Sequence, residues 1–155
     1  MLKITDTNYD LYKKVFTRIW EFTMRNSPSL INADSSPVKV LEEWEKGNSA
    51  IAKKGLKIGL TDQLGGMINE LSEDDKTLLH KKLVSEGLPG LWQLMSIVKN
   101  IPAKVLKRGK INNLDEWYVI NEVLSAVDSP VTEEERMKLG ELSRQFEDRQ
   151  RRMGR

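Results

Sequence analysis

Side chains able to move protons or bind a soft metal are scarce, because His80 is the only histidine and there is no cysteine. His80 lies in "LLHKKL" with no carboxylate at a helical spacing that would orient it as a base or ligand, so a surface or boundary histidine is expected. The glycines of "GLTDQLGG" follow neither the dinucleotide nor the phosphate-loop spacing, and no strand pattern precedes them, which makes them turn or helix-contact positions. With no acid, base and nucleophile to assemble, the chain is not expected to be an enzyme, and neither a cofactor nor a metal ion is expected. Carboxylate-only catalysis is the one enzymatic route left open.

Charge is more informative. Seven acids and no base lie between Ile111 and Glu135, with basic segments on both sides. Asp115, Glu116, Glu133, Glu134 and Glu135 fall in the first turns of expected helices, where the dipole and free backbone N–H groups favour carboxylates. At 100° per residue, Asp115 and Glu122 lie opposite a stripe centred on Trp117 and Leu124, with Val119 and Ala126 between them and Tyr118 at the flank. A face of acids, aromatic and apolar side chains without lysine suits a basic protein partner better than plain solvent, whose contact faces normally intersperse both signs.

The piece upstream has the opposite character. Lys99, Lys104, Lys107, Arg108 and Lys110 have no acid among them. Lys104, Lys107, Arg108 and Lys110 could touch phosphate, which makes a nucleic-acid-binding regulator the alternative reading, although a solvated face explains the same residues. The stretch "AIAKKGLKIGLTDQLGGMI" has the texture of a helix-turn-helix, but it would place glycines and an aspartate where base-reading side chains belong. Trp20, Trp44, Trp92 and Trp117 all fall on or beside apolar stripes and are expected in the core.

The elements that must position these groups read as helices. Tyr12, Val15, Phe16, Ile19, Trp20 and Thr23 repeat with helical spacing from about Thr7 or Asn8, and "LINADSSP" reads as a loop. Pro37 opens a second helix that "EKGN" breaks. Gly55, Gly59, Gly65 and Gly66 interrupt the series Ile51, Ile58, Leu64, Ile68 and Leu71, which predicts short helices or close helix contacts, each interior glycine costing about 1 kcal/mol against alanine.

Ser72 with Asp75 starts the next helix and Gly87 ends it. The run Leu91, Trp92, Leu94, Met95, Ile97 and Val98 is apolar most of the way round, as a central buried helix should be. A short basic helix follows in "AKVLKRG". Asn113 with Glu116, and Thr132 with Glu135, then open the last two helices. The expected fold is all-α, one domain of six to eight helices over residues 1–148, followed by a basic frayed tail at 149–155.

At 155 residues, with 39% hydrophobic and 31% charged residues, the chain can bury a core of its own. A net charge of +2 argues for no particular partner by itself. No export or membrane-spanning segment is visible, so no membrane partner is expected, and the absence of cysteine fits a reducing compartment, the cytoplasm.

The stretch from Leu114 to Glu147, "LDEWYVINEVLSAVDSPVTEEERMKLGELSRQFE", resembles the C-terminal region of small helical immunity proteins that accompany bacterial contact-dependent growth inhibition toxins. The similarity lies in an acid-aromatic helix start, a hydrophobic helix, a "PVTEEE" turn and a closing helix that ends in Phe-Glu, about a fifth of the chain. The resemblance implies an antitoxin that binds one cognate toxin domain, often a nuclease, and blocks its active site or its access to nucleic acid. Carboxylates that occupy phosphate positions would serve that role, which makes Asp115, Glu122, Asp128, Glu133, Glu134 and Glu135 candidate partner-binding residues, with apolar Val119 on the same face and Tyr118 as an anchor.

Overall fold

The computed structural model describes residues 2–126 and 131–153. Among them every regular element is helical, as expected: α1 (Tyr9–Thr23), α2 (Pro28–Ile31), α3 (Pro37–Gly47), α4 (Ser49–Gly65), a 3-10 turn (Met67–Glu70), α5 (Glu73–Ser85), α6 (Leu91–Lys99), α7 (Ile101–Arg108), α8 (Leu114–Ser125) and α9 (Glu133–Met153). The single-turn α2 reaches into the start of the "LINADSSP" stretch expected to be loop, over Leu30 and Ile31. The helices gather into two compact units, Leu2–Leu91 and Trp92 onward.

In the first unit, α1 turns Val15, Phe16, Ile19 and Phe22 inward, the three- and four-residue spacing that builds one apolar face. Asn48 ends α3 and caps α4, its Oδ1 accepting from Ala50 N at 2.8 Å and Ile51 N at 3.2 Å, so a single residue joins the two helices. Helix α4 is continuous for 17 residues, and its interior glycines mark close helix contacts. A Cβ at Gly59 would lie 2.7 Å from the Phe16 ring of α1, and one at Gly55 would lie 2.2 Å from the Trp44 ring of α3. Gln63 ties α4 to α1 by donating to the Phe16 carbonyl at 3.2 Å. Leu56, Leu60, Leu64, Ile68, Leu79 and Leu83 are fully enclosed, each such burial contributing about 1.5–3 kcal/mol before entropy is charged against it. Ser72 Oγ accepts from Asp75 N at 3.1 Å to start α5, and Gly87 beyond its end takes φ +75°.

In the second unit, Trp92, Leu94 and Met95 of α6 are buried as expected, whereas Ile97 and Val98 are only half-buried. Asn100 then turns the chain with φ +51°, a left-handed conformation that asparagine tolerates better than most residues. Ile101 and Pro102, ahead of the expected "AKVLKRG" helix, form the first turn of α7, where the missing proline N–H costs nothing. Asn113 Oδ1 accepts from Glu116 N at 2.9 Å to open α8. Thr132 and Glu135 make the reciprocal box that opens α9, with Thr132 N donating to Glu135 Oε1 at 2.9 Å and Glu135 N to Thr132 Oγ1 at 3.1 Å.

Helix α9 continues to Met153, past residue 149 where a frayed tail was expected. Arg149 explains the extension: its guanidinium donates to the Ile111 carbonyl at 2.7 Å and lies 5.7 Å from the Phe146 ring centroid. That tertiary anchor holds a turn that propensity alone leaves marginal.

Candidate functional site

The acidic segment belongs to the α8–α9 pair of the second unit. Arg136 in the first turns of α9 donates to the carbonyls of Leu124 in α8 at 2.6 Å and of Ala126 just beyond it at 3.1 Å, and Asn121 of α8 donates to Ser143 Oγ of α9 at 3.2 Å. The end of α8 and the start of α9 are therefore held together. Glu122 on α8 and Glu133 and Glu134 on α9 lie at this end. Glu133 and Glu134 are exposed and Glu122 half-exposed.

The structure corrects the other half of the expected docking face. The buried side of α8 is carried by Val119, Ile120 and Val123, while Leu114 is 36% exposed and Trp117 and Leu124 are only half-buried. Val119, expected to touch a partner, is fully enclosed and cannot do so. Asp115, one turn before it, is drawn inward as well: Oδ1 is enclosed and the residue is engaged within the protein. Tyr118 is not a free anchor. Its ring stacks on Trp92 at 4.7 Å between centroids with a 12° interplanar angle, and meets Trp117 edge-on at 5.2 Å and 67°. The stripe misread Trp117 and Leu124 as its centre because helical periodicity gives the spacing of a buried face but not which neighbours cover it. Glu135 is committed to the cap of α9, and Asp128 lies outside the described residues.

The basic candidates lie on and just beyond α7. Lys104, Lys107, Arg108 and Lys110 are all exposed. Arg108 is committed to α8: its Nη2 lies 2.5 Å from Glu116 Oε1, the same oxygen that accepts from Asn112 N at 2.8 Å, and its Nε donates to the Lys110 carbonyl at 3.0 Å. Three lysines remain to meet phosphate.

A third feature had no signal in the sequence. In the first unit, Asp6, Tyr9, Asp10 and Lys13 from the N-terminal segment and α1, Glu45 from α3, and Ser49, Ala52 and Lys53 from α4 line a cleft of about 360 Å³. Tyr9 donates to Glu45 Oε2 at 2.6 Å, Lys13 donates to Glu45 Oε1 at 3.0 Å, and Lys53 pairs with Asp6. Burial, and then the hydrogen bond to Glu45, push the Tyr9 phenol well above its ordinary range. Burial pushes the Glu45 carboxyl up, but the hydrogen bonds from Tyr9 and Lys13 and the ammonium charge outweigh it and hold the group below its ordinary range. Phenol and carboxylate thus keep their protonation across neutral pH. Such a network clamps α1 to α3 and is set against proton transfer there.

His80 is half-buried against the backbone of Gly90, where an added Cβ would lie 2.4 Å from its Cε1. That matches the boundary position expected for it. Among the described residues no three histidine or acidic side chains converge to hold a metal ion, and no helix is long and apolar enough to cross a membrane. The chain matches no family model, no curated protein and no solved structure.

Proposed function

We propose that this chain is a binding protein that neutralises a basic partner domain, a nuclease in the reading its immunity-protein resemblance implies, by covering the surface that would engage substrate. One observation carries the reading: among the described residues Glu122, Glu133 and Glu134 have no side-chain hydrogen bond or ion pair, and they gather at one end of the α8–α9 pair in a stretch without a base. Helix-dipole stabilisation accounts for Glu133 and Glu134 but not for Glu122, which sits in the last turns of α8, where a carboxylate is disfavoured. An unneutralised acid in that place suits a partner that supplies the countercharge. Nuclease sites hold phosphates with cations, so carboxylates presented together at one end of a helix pair would steer association and compete with nucleic acid.

The test is co-expression with the protein encoded beside this chain. A toxic neighbour whose toxicity the chain suppresses, and with which it forms a stoichiometric complex, supports the proposal; a harmless neighbour that it ignores overturns it. E122K/E133K/E134K should slow association by roughly tenfold at low salt and leave helicity unchanged. A nucleic-acid regulator acting through Lys104, Lys107 and Lys110 is the alternative; it requires retention of duplex DNA or single-stranded RNA with affinity falling steeply as salt rises.

A further inference from the structure

The first unit carries an apolar face that its own core does not use. Trp44 of α3 is 43% exposed, and its ring lies across α4 at Gly55, where an added Cβ would meet it at 2.2 Å. Ile51 and Ile58, each 52% exposed, are two turns apart on the same outward side of α4, with Gly55 between them. The three side chains make a strip about 10 Å long, from the helical rise over seven residues. The glycine seat gives the strip its form, because any side chain at position 55 would displace the indole.

The edges of this strip are asymmetric in charge. Lys54 and Lys57 of α4 are exposed and have no ion pair among the described residues. On the α3 side, Lys46 and Glu43 pair with each other at 3.1 Å, leaving that edge neutral. Asp62 closes the far end of α4. Exposed tryptophan flanked by aliphatic side chains is the composition of binding hot spots, and two turns of apolar strip match the anchor spacing of a helix laid on a surface.

We infer that the α3–α4 face docks an amphipathic helix of a protein partner whose aliphatic side chains cover Trp44, Ile51 and Ile58 and whose acidic flank lies along Lys54 and Lys57. This surface belongs to a different compact unit from Glu122, Glu133 and Glu134, and the inference does not rest on the function proposed above.

The experiment titrates the isotope-labelled full chain with a synthetic sixteen-residue helical peptide that presents leucines on one side and glutamates along one flank, beside a second peptide in which lysines replace the glutamates. Binding of the glutamate peptide should shift the resonances of Trp44, Ile51, Lys54, Gly55 and Ile58. I51S/I58S, at positions exposed enough to leave the fold intact, should weaken it at least tenfold. K54E/K57E should reverse the preference between the two peptides, and E122K/E133K/E134K should leave both affinities unchanged. No shift at millimolar peptide, or equal affinity for the two peptides, overturns the inference. So does self-association, or binding to phosphatidylglycerol vesicles, that I51S/I58S abolishes, because the strip would then belong to a second copy or to a lipid surface.

Discussion

Tyr9 and Glu45, 36 positions apart in the chain, share a 2.6 Å hydrogen bond that joins the start of α1 to the end of α3. Hydrogen bonds to a charged acceptor contribute about 1.5–3 kcal/mol when shielded, and partial exposure of the cleft lowers that. Tyr9→Phe should therefore destabilise the chain by about 1 kcal/mol in urea unfolding. An unchanged midpoint would show that solvent replaces the phenol without loss.

Acid should weaken the same contact. The folded-state pKa of Glu45 lies below its unfolded value, about 4.3 for a free glutamate. Its stabilisation is accordingly complete above about pH 5 and is lost as pH falls through the folded value. Glu86 adds to the same slope, because the hydrogen bond from Arg18, at 2.7 Å, holds its carboxyl low. Unfolding midpoints between pH 7 and pH 3 should fall for the wild type and fall less for Glu45→Gln. Parallel curves would remove Glu45 as a source of the acid sensitivity.

Three glycine-to-alanine changes should split by sign. Gly140 lies inside α9 with nothing within 4 Å of an added Cβ, so Gly140→Ala should stabilise by about 0.5–1 kcal/mol. Gly59→Ala drives a methyl into the Phe16 ring, which is 4% exposed and has nowhere to go. Overpacking of about 1–3 kcal/mol outweighs the gain in helix propensity there. Gly55→Ala should fall between them, because the half-exposed Trp44 ring can swing outward. Thermal unfolding of the three variants checks the order.

The stack of Tyr118 on Trp92 makes Tyr118 a structural residue of the second unit. Tyr118→Ala should lower unfolding free energy by about 2 kcal/mol, combining lost burial with the aromatic pairing. If stability stays constant while partner affinity falls, Tyr118 is an interface anchor after all.

Thr132→Ala removes one side of the box that opens α9, and Asn113→Ala removes the cap of α8. Each should cost about 1 kcal/mol. Circular dichroism during urea unfolding reads both, and Thr132→Ala should free the start of α9 to proteolysis first.

The sequence by itself determined the helices and most of their beginnings. Ser72, Asn113 and Thr132 announce helix starts because a cap is a bond between residues three apart, legible wherever the right oxygen precedes the right turn. The largely apolar run of α6 announced the burial of Trp92, Leu94 and Met95 for the same local reason. Tertiary structure alone decided which side of α8 faces inward, because the helix carries apolar side chains on both sides, Trp117 and Leu124 on one and Val119 and Val123 on the other. The choice of Val119, Ile120 and Val123 depends on what packs against them. Long-range partners also decided the Tyr9, Lys13 and Glu45 cleft, the seating of Trp44 over Gly55, and the extension of α9 by Arg149. Each of these joins groups far apart in the chain that local periodicity cannot connect, so no pattern within a single helix could have revealed them.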